Sequence, residues 1–97
     1  MAYARRKDTN QATITADLYR LGFHIADTSA LGDGFPDMIV TGYSRRSDTM
    51  AALLVEVKTD KGKLTEFEEL WRAEYPDDGP YIVARTLDDI LNWFGAA

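Results

Sequence analysis

Cysteine is absent from this 97-residue chain, and histidine occurs once. Without thiols there is no disulfide frame, no thiolate zinc site, no iron–sulfur cluster and no cysteine nucleophile. A single histidine excludes a multi-histidine metal centre within one chain. Long apolar runs are missing as well. The longest, Met50 to Val55, is six residues, against the roughly 20 that span a bilayer, so no membrane partner is expected. The opening stretch Met1-Ala-Tyr-Ala-Arg5-Arg6-Lys7 carries charge with no apolar segment behind it, which does not read as a secretory signal. A cytoplasmic protein is the expectation. The length suits one small domain over residues 1–97 and excludes separate cofactor and substrate domains.

Positive charge is in deficit overall, with 11 Lys and Arg against 16 Asp and Glu. The deficit is uneven. Residues 1–65 carry nine basic and eight acidic side chains, whereas residues 66–97 carry two and eight. Three small basic groups stand out: Arg5, Arg6 and Lys7; Arg45 and Arg46; and Lys58, Lys61 and Lys63. They are either a solvated surface or, if folding gathers them, contacts for phosphates.

The spacing predicts an αβββαβα order. Asp8 reads as the N-cap of a first helix, with Gln11 completing a capping-box pattern and Ile14, Leu18 and Leu21 as its stripe, stopped by Gly22. Phe23–Asp27, Pro36–Gly42 and Met50–Lys58 read as three strands. Thr65 and Glu68 form a second capping box, opening a helix with Leu64, Phe67, Leu70 and Trp71 as its apolar stripe. Asp77-Asp78-Gly79-Pro80 is a turn, Tyr81–Arg85 a fourth strand, and Thr86 caps a last helix. Three consecutive strands suit an antiparallel meander, and the strand–helix–strand step after Lys58 calls for a parallel pair. A mixed sheet flanked by helices follows.

The hairpin between the second and third strands sets a register in which Ile39 opposes Leu54, Thr41 opposes Ala52, and Asp37 faces Glu56. Two carboxylates directly opposite on a sheet repel, and a divalent cation would offset that repulsion, since magnesium and manganese prefer oxygen ligands. Lys58 lies two residues beyond Glu56 and so shares its face. Val57, between them, turns its side chain away and leaves its carbonyl as a further oxygen ligand. Phosphodiester hydrolysis needs a metal to polarise the phosphoryl oxygen and acidify a water, with a positive group beside it. Asp37, Glu56 and Lys58 supply those groups. Each has a plainer reading, as a turn dipeptide or an exposed strand ion pair.

The stretch Gly34-Phe35-Pro36-Asp37-Met38-Ile39-Val40, then Leu54-Val55-Glu56-Val57-Lys58-Thr59 and Lys63-Leu64-Thr65, resembles the PD-(D/E)XK nuclease superfamily. Within it the pattern is most similar to the small stand-alone VRR-NUC domains, often encoded by phages and related to archaeal Holliday junction resolvases. The resemblance implies a restriction-endonuclease-like αβββαβ core and a nuclease dependent on Mg2+ or Mn2+. It implies that Asp37 and Glu56 bind the metal with the Val57 carbonyl, and that Lys58 positions the attacking water. The expected substrate is DNA, with flaps and junctions among the candidate forms, and Arg45, Arg46, Lys61 and Lys63 as phosphate contacts. A homodimer or a partner protein is expected to supplement so small a basic surface. If a phage encodes it, the compartment is the host cytoplasm.

Two positions depart from that family. It often has a glutamate on the first helix where Gln11 stands; Gln11 either holds a metal-bound water or only caps the helix. It often has a glutamine after the second helix start where Glu68 stands; Glu68 either faces the site or closes its capping box. His24, without a partner, reads as structural or solvent-facing. Phe67, Trp71, Trp93 and Phe94 read as core or interface. Gly32 and Gly34 permit a sharp turn before the motif. The rivals are a catalytically silent nucleic-acid-binding or adaptor module of the same fold, and a plain protein-interaction domain.

Overall fold

A computed structural model of the protein describes residues 9–96. Its elements are α1 (Thr9–Arg20), β1 (His24–Asp27), β2 (Met38–Ser44), β3 (Thr49–Val57), α2 (Glu66–Ala73), β4 (Tyr81–Ala84) and α3 (Leu87–Phe94). Asp8, expected as an N-cap, and the basic group Arg5, Arg6 and Lys7 lie outside the described residues. The strands form one sheet in the order β1-β2-β3-β4, with the first two pairs antiparallel and β3–β4 parallel. The result is a small α/β fold with a mixed four-stranded sheet. Among the described residues, no helix is long and apolar enough to cross a membrane.

Strand periodicity divides the sheet into two faces. Met38, Val40, Leu53, Val55, Val57 and Ala84 all point to one side and are buried there with Ile14 and Leu18 of α1 and Ile90 and Phe94 of α3. This is the hydrophobic core. Phe23, just ahead of β1, joins it through a tilted ring contact with Phe94, the centroids 4.9 Å apart. The Thr86 capping box starts α3, and Gly95 ends it in the left-handed conformation that glycine adopts without strain.

The other face is covered by α2, and here the expected orientation changes. The stripe Phe67 and Leu70 points outward, 59% and 61% exposed, while Glu68 is buried. The inward face of this segment is Glu68, Trp71 and Tyr75, at i, i+3 and i+7. Trp71 packs edge-on against Phe35, and Tyr75 stacks on Tyr81. A charged group determines the rotation, because Glu68 reaches a lysine on the sheet. Phe67 is therefore not a core residue, whereas Phe94 is fully buried and Trp93 is half-buried, its indole donating to the Gly79 carbonyl at 3.1 Å. Strand 2 begins at Met38 rather than Pro36. Thr28 fastens the preceding bend by donating its N–H to the Asp37 carbonyl at 2.9 Å and its hydroxyl to the Pro36 carbonyl at 2.7 Å.

Gly42 lies on the core face of β2, where a Cβ would run into the ring of Phe23. Gly42→Ala is expected to lose about 1–3 kcal/mol, the usual cost of overpacking, read as a lower urea midpoint with an unchanged slope. An unaltered midpoint would mean that the Phe23 ring moves freely and the core is looser at this end.

Candidate active site

The site grows out of the β2–β3 register. Ile39 pairs with Leu54 and Thr41 with Ala52, as the hairpin spacing predicts, and Met38 pairs with Val55. Asp37 therefore stands opposite Glu56. Its carboxylate Oδ2 accepts the Val57 N–H at 2.8 Å, which ties the bend before β2 to the end of β3. Beyond the pair, Lys58 continues the same face of β3, its Nζ 3.7 Å from Glu56 Oε2 and 2.8 Å from Glu68 Oε1. Asn10 of α1 closes this end by donating its side-chain amide to the Lys58 and Arg85 carbonyls, both at 3.1 Å.

The electrostatics centre on Glu56, which is 2% exposed. Its Oε1 has no hydrogen-bond partner among the described residues. Burial, then a hydrogen bond with Asp37 and the charges of Asp37 and Glu68, push its carboxyl up to about 9, with Lys58 opposing. Two neighbouring carboxyls in low dielectric favour holding a proton, or a cation, between them. Lys58 loses solvation, which by itself pulls the ammonium down. Its hydrogen bond to Glu68 and the charges of Glu68, Glu56 and Asp37 outweigh that and hold it above its ordinary value. Burial raises Glu68, but Lys58 and the Thr65 N–H, which donates to Oε1 at 2.8 Å, bring it below the usual carboxylate range. One carboxylate thus caps α2 and binds the lysine, so the two readings of Glu68 hold together.

Asp37, Glu56 and Lys58 are brought together, and Val57 turns its side chain into the core as expected. Gln11 is buried, on the α1 stripe that carries Ile14 and Leu18 into the core. Lys61 and Lys63 are exposed in the loop that follows Lys58. Arg45 and Arg46 are not gathered with them. They occupy the β2–β3 turn, beside Gly95, about 25 Å along the strand from Asp37 at ~3.3 Å per residue. The basic groups thus divide between the two ends of the sheet. His24 is exposed on β1.

Tyr81 belongs to this neighbourhood and carries no motif signal. Parallel pairing sets it beside Leu54 and sets Val83 beside Glu56. Its hydroxyl is buried without a partner. Burial, and then the charges of Glu56 and Glu68, raise its pKa, so the group stays protonated. Only the β3–β4 register, visible once the strands are paired, points to it.

Among the described residues, no group of three or more His, Asp or Glu side chains is placed to hold a metal ion. Two carboxylates with one unpartnered buried oxygen do fit a hard divalent cation of the kind that keeps several waters and takes one or two carboxylates. The Val57 carbonyl, next after Glu56 in the chain, is a further oxygen. Comparison with family models, with curated proteins and with solved structures finds no match to this chain.

The Glu56 shift fixes the sign of a pH effect. Between its ordinary 4.5 and about 9, the folded state holds a proton that the unfolded state has released, so stability falls as pH rises, by up to about 1.4 kcal/mol per pH unit. In metal-free protein, Glu56→Gln is expected to flatten this profile and to raise the thermal midpoint at pH 8 more than at pH 5. Parallel profiles for the two proteins would show that Glu56 ionises normally.

Proposed function

We propose that the protein is a metal-dependent nuclease of the PD-(D/E)XK kind, hydrolysing phosphodiester bonds in DNA with Mg2+ or Mn2+. The observation that carries this reading is the buried, unpartnered Glu56 Oε1, set against Asp37 and beside Lys58. A fold does not bury a carboxyl with an orphaned oxygen beside a second, half-buried carboxyl for stability, since an unsatisfied buried group costs about 1–3 kcal/mol.

In this reading Asp37, Glu56 and the Val57 carbonyl hold the ion. When bound, it supplies Lewis-acid polarisation of the phosphate and lowers the pKa of a water. The Val57 N–H fixes the Asp37 carboxylate in place. Lys58 stays protonated, and its ammonium orients the attacking water and offsets the charge that develops on phosphate. Glu68 sets the rotamer of Lys58 through the 2.8 Å ion pair. Lys61 and Lys63 extend positive charge from the site toward the substrate backbone. With Arg45 and Arg46 remote, the basic surface near the site is small, which favours a dimer or a partner protein in substrate binding.

The same ion pair supports a second reading, a catalytically silent nucleic-acid-binding or adaptor module. There Lys58 is neutralised by Glu68 rather than directed at water.

Cleavage separates the two. Labelled linear, flap and four-way-junction DNA, incubated with Mg2+ or Mn2+, is expected to be cut by the wild type, with activity abolished by chelator. Lys58→Ala and Glu56→Gln should each lose at least about 100-fold, the scale for removing one transition-state stabiliser. DNA bound but uncut with either metal would favour the silent module, and equal cleavage by Lys58→Ala would overturn the assignment.

A further inference from the structure

The sheet face that carries Glu56 is covered over only part of its length. α1 and α3 pack on the core face. Among the described elements α2 alone lies on the other, and its eight residues span about 12 Å at ~1.5 Å per residue. Toward the β2–β3 turn the face is open. Tyr43 and Met50, directly paired there, are 51% and 65% exposed, and Ala52 and His24 are exposed with them. Alternation leaves no Asp, Glu, Lys or Arg on this face of β1, β2 or β3 before Glu56, in a chain that is 28% charged. A solvated sheet face alternates polar side chains outward; this one has the composition of a contact.

The two ends of the face differ in charge. At the turn, Arg45 and Arg46 are exposed beside the Tyr43–Met50 pair. At the other end a groove of about 570 Å3 runs along α2, lined by Phe67, Leu70, Trp71 and Tyr75, with Asp33 and Glu74 also in its wall. Among the described residues, Arg45, Arg46, Asp33 and Glu74 take part in no ion pair and no side-chain hydrogen bond. One end is thus basic and apolar, the other acidic and apolar, and the stretch between is uncharged. Such a surface complements a second copy of itself turned end for end. Turn against turn would instead set arginines against arginines.

The spacing agrees. Arg45 lies four residues beyond Thr41 and Asp37 four before it, about 13 Å each way at ~3.3 Å per residue. A two-fold axis through the Thr41–Ala52 pair, perpendicular to the strands, carries the turn of one copy to the level of Asp37 in the other. A sheet packed on this face stands about 10 Å above it, in the layer that α2 occupies. We propose that two copies of the chain associate through this face, the turn of each docking by Tyr43, Met50, Arg45 and Arg46 into the groove of the other, against Phe67, Leu70, Asp33 and Glu74. The basic groups that one chain divides between the ends of its sheet then meet at one end of the pair. The proposal goes beyond the nuclease reading and does not rest on it, since association needs neither metal nor turnover.

The test is analytical ultracentrifugation of a turn variant, Arg45→Glu/Arg46→Glu, and a groove variant, Glu74→Lys, each alone and as an equimolar mixture. Wild type is expected to be dimeric at about 100 μM. Each variant alone should show a dissociation constant raised at least about tenfold, the scale for setting like charges together. The mixture should recover association, because in the mixed pair one contact is native and the other has both charges reversed. A folding defect would not be rescued by mixing. Met50→Asp should weaken association without rescue, and all these exposed positions should keep the wild-type thermal midpoint. Monomeric wild type at about 1 mM, variants as dimeric as the wild type, or no recovery on mixing overturns the proposal. A monomer that cuts DNA removes the dimer and leaves the nuclease reading, whereas a dimer that does not cut does the reverse.

Discussion

Everything distinctive in this small fold depends on the confrontation of Asp37 and Glu56 across the β2–β3 ladder. A strand pair has a side-chain period of two, so the register that buries Met38, Val40, Leu53 and Val55 on one face forces the two carboxyls together on the other. Slipping by one residue would relieve the repulsion, but it would turn the whole core outward. The hydrophobic face therefore holds the acidic pair in place, at the cost of a carboxyl pushed far above its ordinary value. The Val57 N–H, donated to Asp37, adds a fixed dipole to that arrangement.

The second layer follows from the first. Lys58 is the nearest counter-charge, and it draws Glu68 inward although Glu68 shares its helix with exposed Phe67 and Leu70. An ordinary amphipathic helix would bury those two and expose the glutamate. Here α2 is docked by an ion pair, by the Phe35–Trp71 edge contact and by the Tyr75–Tyr81 stack. Gly34 lets the loop before β2 approach this helix, since a Cβ there would lie 2.5 Å from the Phe67 carbonyl carbon and its φ of +78° suits glycine. The helix is set by the polar centre rather than by apolar burial.

Much of this was legible in the sequence. Element order, the mixed sheet, the pairing of Ile39 with Leu54, the Thr65–Glu68 capping box and the Thr86 cap follow from periodicity and turn chemistry, because each is a local or nearest-neighbour property. The orientation of α2 was not legible. Periodicity weighs Phe67 and Leu70 as core, and only the three-dimensional reach of Lys58 reverses that. Arg45 and Arg46 look close to the motif in sequence, yet a strand carries them to the far end of the sheet. Gln11 shares a buried stripe with core residues, and its neighbour Asn10 anchors α1 to the end of β3. Tyr81 could not be singled out, since an orphaned hydroxyl is a property of packing rather than of residue type.

The central claim is that Asp37 and Glu56 share one divalent cation. Crystals grown with manganese test it directly through anomalous diffraction. The account predicts one strong peak within coordination distance of both carboxylates, lost in Asp37→Asn. Saturating manganese with no peak there, or a peak on other residues with a protonated Glu56 still turned toward Asp37, would contradict it.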